Sequence, residues 1–140
     1  MSFKSEKIMV DKIKISDYFS QFKEGCQLLE EVDGFFGIPD LVIITPYETY
    51  SYEAKLSNWK RAIYQAFRYK AFSDKSFVIL DSYKINPALN HLDQFIRSNV
   101  GLMDINDFGS IHTYYDPVPE SPFSPRLDRK FKKKYRAKEA

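Results

Sequence analysis

Residues 37–55 read Gly37-Ile38-Pro39-Asp40-Leu41-Val42-Ile43-Ile44-Thr45-Pro46-Tyr47-Glu48-Thr49-Tyr50-Ser51-Tyr52-Glu53-Ala54-Lys55. The apolar run Leu41 to Ile44 sits in a strand spanning Gly37 to Thr45. Pro46 marks a turn over Thr45 to Thr49, and Tyr50 to Lys55 forms the next strand. Side chains two apart on a strand leave the same face, so Glu53 and Lys55 point together. If the two strands pair antiparallel across the Pro46 turn, Asp40 lies opposite the end that carries them. Two carboxylates and one ammonium then meet at a strand end.

Working outward from this pair, Gln27 to Val32 reads as a strand. The Asp33-Gly34 turn that follows suggests a hairpin with the apolar strand. Residues 17–25 suggest a short helix opened by Ser16 or Asp17. Residues 1–16 alternate Lys with Ile and Val, which fits a strand or an irregular lead-in.

On the other side a helix is expected from about Asn58 to Ser73, capped by Ser57 or Asn58. Trp59, Ala62, Ile63, Ala66, Phe67 and Tyr69 cover one of its sides, while Arg61, Gln65 and Arg68 line another. Ser76 to Leu80 is a short buried strand of the kind found in parallel or mixed sheets. Asn86 as cap with Pro87 behind it opens a second helix. Its apolar positions are Leu89, Leu92, Phe95 and Ile96. Val100 to Ile105 and Ser110 to Tyr115 form a terminal strand pair. The order predicts an α/β or α+β domain, with a mixed central sheet flanked by helices, over residues 1–115.

Four prolines between Asp116 and Pro125 suggest an extended linker leaving the domain over 116–125. Residues 126–140 form a basic C-terminal tail: Arg126, Arg129, Lys130, Lys132, Lys133, Lys134, Arg136 and Lys138 stand against Asp128 and Glu139. The whole chain carries only +2, so residues 1–125 are net acidic. A basic tail on an acidic body supplies attraction to a polyanion, and its grip on a nucleic-acid backbone would weaken as salt rises. A solvated end, or a helix docking on an acidic partner, are the plainer readings.

The composition is 44% hydrophobic and 29% charged, as in a globular protein. One cysteine, Cys26, allows no internal disulfide and fits a reducing, cytoplasmic setting. No secretory leader opens the chain, and no apolar run approaches the roughly 20 residues of a membrane span. His91 and His112 lack the spacing of a zinc site, and no phosphate-binding glycine loop or serine-hydrolase elbow occurs.

An exposed Glu-x-Lys pair on a strand is commonly a simple charge pair. Crowding Asp40 beside Glu53 changes its meaning, because adjacent carboxylates repel and raise each other's proton affinity. A divalent cation removes that penalty, and oxygen ligands of this kind suit Mg2+ or Mn2+. Such an ion offsets charge on a phosphate, with the attacking water beside Lys55.

The arrangement resembles the PD-(D/E)xK nuclease superfamily, whose fold is restriction-endonuclease-like. Pro39-Asp40 is followed thirteen residues on by Glu53-Ala54-Lys55, and the helix Arg61 to Tyr69 is similar to the Gln-bearing helix that often follows. The resemblance covers about residues 25–115. It implies that Asp40 and Glu53 are metal ligands, that Lys55 positions or activates the water, and that Gln65 supports the site or the substrate. A further Glu from the first helix is common there, with Glu24, Glu30 and Glu31 as candidates.

The expected activity is Mg-dependent hydrolysis of phosphodiester bonds in DNA. Arg61, Arg68, Arg129, Lys130, Lys132, Lys133 and Lys134 are the expected nucleic-acid contacts. The alternative is a catalytically inactive module on the same fold that binds nucleic acid or a protein partner. A nuclease this small is expected to work as a homodimer or within a larger nuclease, defence or replication complex.

Overall fold

A computed structural model describes residues 2–22 and 24–136 of the chain. Its centre is one six-stranded mixed sheet: β1 (Gln27–Glu30), β2 (Leu41–Ile44), β3 (Thr49–Lys55), β4 (Lys75–Asp81), β5 (Gly101–Ile105) and β6 (Ile111–Tyr115). The strands lie side by side in chain order. Pairing is antiparallel from β1 to β3, parallel from β3 to β5, and antiparallel at β5–β6. The parallel steps fall where helices intervene, as a crossover requires. The expected mixed sheet with flanking helices is what forms.

One face of the sheet is covered by α1 (Glu6–Lys14) and α2 (Asp17–Ser20). Met9, Ile13 and Phe19 pack there against Leu41, Ile43, Tyr52, Phe77 and Ile79. The other face carries α3 (Trp59–Tyr69), α4 (Asn86–Leu89), α5 (Leu92–Ser98) and α6 (Pro125–Tyr135). Period-2 alternation sends Leu41 and Ile43 to the first face and Val42 and Ile44 to the second.

Residues 6–14 are a helix, not the strand or irregular lead-in expected. Ser5 caps it by accepting from the Ile8 N–H, and Met9 and Ile13, one turn apart, are its fully buried pair. Ile8 and Ile15, which made the alternation look strand-like, stay exposed. The β1–β2 hairpin also differs. Its connection runs from Glu31 to Asp40, with a tight turn closed by the Gly34 N–H on the Gly37 carbonyl. The helix expected after Asn86 is broken at Asn90-His91 into α4 and α5.

The expected linker, and the expected tail as far as Arg136, do not leave the body. The 120–124 backbone donates three hydrogen bonds to it: Glu120 N–H to the Asp74 carbonyl, Phe123 N–H to Lys70 and Ser124 N–H to Ala71. Buried Lys70 clamps the segment through Glu120 at 2.6 Å. Ser124 then caps α6, with Pro125 in its first turn. Phe131 is fully buried against Val42, Ile44, Tyr69 and Phe72, with Leu127 and Tyr135 beside it. These three recur every four residues, an apolar stripe on an otherwise basic helix. Residues 137–140, including Lys138, lie outside the described residues.

Candidate active site at the ends of β2 and β3

The register Leu41↔Tyr52 puts Asp40 next to Glu53 across the strand pair, on the face opposite Leu41 and Tyr52. Asp40 is locked to β3 twice: its N–H donates to the Tyr52 carbonyl, and its Oδ2 accepts from the Ala54 N–H at 2.8 Å. One carboxylate oxygen is therefore committed to the backbone, while Oδ1 is not needed for that bond. Gly37 shapes the approach. It has φ +118°, and a Cβ there would fall 2.6 Å from a Tyr69 ring carbon, so only glycine fits.

Glu53 is only 4% exposed. Its Oε1 accepts from the Tyr69 hydroxyl at 2.6 Å, and its Oε2 lies 3.8 Å from the Lys55 ammonium. Burial, then repulsion from Asp40, pushes the Glu53 carboxyl up to about 7, against the opposing help of Tyr69 and Lys55. Burial also raises Asp40, with Glu6 and Glu31 adding repulsion, while its backbone bond and Lys55 pull the other way. Burial and the neighbouring Glu53 drive the Tyr69 phenol upward, which keeps it a proton donor in this pair.

Lys55 bridges towards a third carboxylate, Glu6 of α1, at 4.0 Å. Glu6, Lys7, Asp11, Glu30, Glu31 and Asp40 line a cleft of about 420 Å³. Five carboxylates thus share its wall with the ammonium of Lys7, while Glu53 and Lys55 lie outside that lining. Among the earlier candidates for a further acid, Glu30 and Glu31 reach this cleft, with Glu30 bound to Lys14. Glu24 is not part of it. Glu6 was missed because residues 1–16 were not read as a helix. Sequence reasoning misses Tyr69, because its spacing places it on the apolar side of α3.

Gln65 stands one turn before Tyr69 on α3. Its Oε1 is buried without a hydrogen-bond partner among the described residues, and no bond joins it to Asp40, Glu53 or Lys55. Arg61 is exposed at the start of the same helix. Arg68 lies over the Phe36 ring, with its guanidinium carbon 4.5 Å from the centroid. On α6, Arg129, Lys130, Lys133 and Lys134 are exposed, whereas Lys132 is half-buried and paired with Asp128 at 3.1 Å.

The donor set suits a hard divalent ion. It offers carboxylate oxygens, an excess of negative charge, and two acids whose proton affinity is raised, by burial first in both and by repulsion from Asp40 in Glu53. No group of three or more His, Cys, Asp or Glu side chains converges closely enough for a metal cage among the described residues. Mg2+ does not need one, since it is commonly held by one or two carboxylates and keeps several waters.

No protein-family model matches this chain, and no curated protein matches it. Among solved structures, SfsA of Pyrococcus furiosus in complex with Ca2+ is similar at a TM-score of 0.41 and 12% identity. The match covers 82% of this chain and 62% of that one, so the chain spans less than two thirds of SfsA. A likeness that loose carries no argument about chemistry. Among the described residues, no helix is long and apolar enough to cross a membrane.

Proposed function

We propose that this protein is a nuclease that hydrolyses phosphodiester bonds in DNA and requires Mg2+ or Mn2+. The observation that supports it is the pairing of Asp40 with buried Glu53 at the strand ends, with Lys55 as the ammonium against them. Asp40 and Glu53 would hold the ion. When bound, it supplies charge neutralisation at the scissile phosphate and lowers the proton affinity of a water.

The chain's own groups do the rest. The Ala54 N–H fixes Asp40, and the Tyr69 hydroxyl fixes Glu53, so neither carboxylate must reorganise as charge builds. Lys55 donates to the attacking water and offsets the negative charge gathering on the phosphate. Gln65, whose carbonyl oxygen has no hydrogen-bond partner among the described residues, supports the site or the substrate. Arg61 and Arg68 hold phosphates near α3, and Arg129, Lys130, Lys133 and Lys134 hold them along α6. Lys132 contributes less, being tied to Asp128. A homodimer would present two such sites to two strands. The free Cys26 thiol suits the reducing cytoplasm.

The test is a panel of linear, single-stranded and branched DNA, with wild type and Lys55→Ala side by side in Mg2+ or Mn2+. Cutting by wild type that chelator abolishes, and its loss in a folded Lys55→Ala variant, is the expected result. Wild type that leaves every substrate whole overturns the reading. The exposed basic face of α6 favours a second reading, a binding module without catalysis. It predicts DNA binding that ignores metal and survives Lys55→Ala.

A further inference from the structure

The β1–β2 loop presents apolar side chains to water. Phe36 is 45% exposed and Ile38 59% exposed. The loop backbone is held in a costly shape: Glu31 and Phe35 have φ of +47° and +68°, although neither is glycine. Strain of this kind persists only where the surroundings fix it, and it concentrates at ligand-binding and active sites.

Here the surroundings do fix it. The Tyr135 hydroxyl of α6 donates to the Asp33 carbonyl at 2.8 Å, and the Tyr69 hydroxyl also contacts the Ile38 carbonyl at 3.2 Å. Each aromatic ring of the loop carries a cation. Arg68 lies over Phe36 at 4.5 Å, and the Lys130 ammonium lies 4.3 Å from the Phe35 centroid, with Lys134 at 5.2 Å.

This loop connects the two parts of the molecule that a DNA strand would have to visit. Through Ile38 and Tyr69 it joins Glu53, and through Phe35 it joins the basic face of α6. An exposed ring beside fixed cations is how proteins hold unpaired bases, because every base has a π face while the backbone needs positive charge. In a duplex those base faces are already covered by neighbouring pairs.

We propose that Phe36, flanked by Ile38, is a stacking platform for an unpaired base of single-stranded DNA whose backbone runs along Arg68, Lys130 and Lys134. The proposal rests on the nuclease reading for its substrate class. It narrows that class to single-stranded or frayed DNA.

The experiment measures binding in chelator at low salt, so that cleavage plays no part. Three fluorescent probes are compared: a mixed-sequence single strand, the same backbone with abasic sugars, and the duplex. Wild type is expected to prefer the base-bearing strand over the abasic one by about tenfold or more. Phe36→Ala removes that preference, and Phe36→Trp restores it. The double change Lys130→Gln with Lys134→Gln weakens all three probes alike and flattens the salt dependence.

Equal binding of base-bearing and abasic strands by wild type overturns the platform. So does an equal loss on both in Phe36→Ala, or no binding of any strand. A wild type that shows the base preference yet cuts nothing overturns the reaction instead, which keeps the two failures distinct. Circular dichroism and melting of each variant show that the readout comes from folded protein.

Discussion

The Tyr69 hydroxyl donates to Glu53 at 2.6 Å, tying the last turn of α3 to the middle of the candidate site. The bond favours the charged form of Glu53, opposing burial and Asp40. Tyr69→Phe removes it without emptying the space. The Glu53 proton affinity then rises further, and the pH at which cleavage switches on moves upward. Stability falls by roughly 1.5–3 kcal/mol, the worth of a hydrogen bond to a charged group. A pH–rate profile beside thermal melting checks both, and an unmoved profile would mean that Tyr69 is only packing.

Glu53 itself makes metal-free stability depend on pH in an unusual direction. Its folded value of about 7 lies above the ordinary carboxyl range. Between roughly pH 4.5 and 7 the unfolded chain has released this proton while the folded chain keeps it. The folded state therefore loses stability as pH rises through that window, by at most roughly 3 kcal/mol, and the loss levels off above it. Glu53→Gln cannot ionise, so its chelator-treated stability curve should lack this decline. Denaturant titrations of the two proteins across the window give the comparison; parallel curves would remove Glu53 as its source.

The strand pair was legible because its signals are local. Leu41 to Ile44 is an unbroken apolar run, Pro46 marks the turn, and the fixed register brings Asp40 beside Glu53. Tertiary choices were not legible. In residues 6–14 the Lys–Ile alternation competed with the Met9–Ile13 spacing, and packing under the sheet settled it for a helix. In residues 125–135 the number of lysines hid the stripe Leu127, Phe131 and Tyr135. Tyr69 looked like any core aromatic, since only the fold brings its hydroxyl to Glu53.

The docking of α6 carries its own consequence. Phe131 is fully buried and stacked on Phe72 with centroids 4.9 Å apart. Phe131→Ala should cost about 3–5 kcal/mol. Truncation before Ser124 should lower the melting temperature at least as much, because it uncovers Val42, Ile44 and Phe72. Deleting the segment therefore confuses lost charge with lost folding. Replacing exposed Arg129, Lys130, Lys133 and Lys134 by Gln leaves the apolar stripe in place and isolates the electrostatic part. If the truncated chain melts like the full one, the packing of Phe131 contributes nothing.

Metal binding should be visible without any substrate. An ion that binds the folded chain stabilises it by mass action, about 2.7 kcal/mol at a hundred times its dissociation constant. Mg2+ or Mn2+ should therefore raise the melting temperature at pH 8, where Glu53 has lost its proton. The gain should shrink as pH falls below about 7, because proton and metal compete for the same carboxylate. Asp40→Asn and Glu53→Gln should each abolish most of the gain, while Glu24→Gln, remote from the cleft, should leave it whole. Glu6→Gln separates two arrangements: a smaller gain means that α1 supplies a ligand, and an unchanged gain means that Glu6 serves only to orient Lys55. A melting curve indifferent to both ions at pH 8 would leave Asp40 and Glu53 as a strained carboxylate pair with no metal to relieve them.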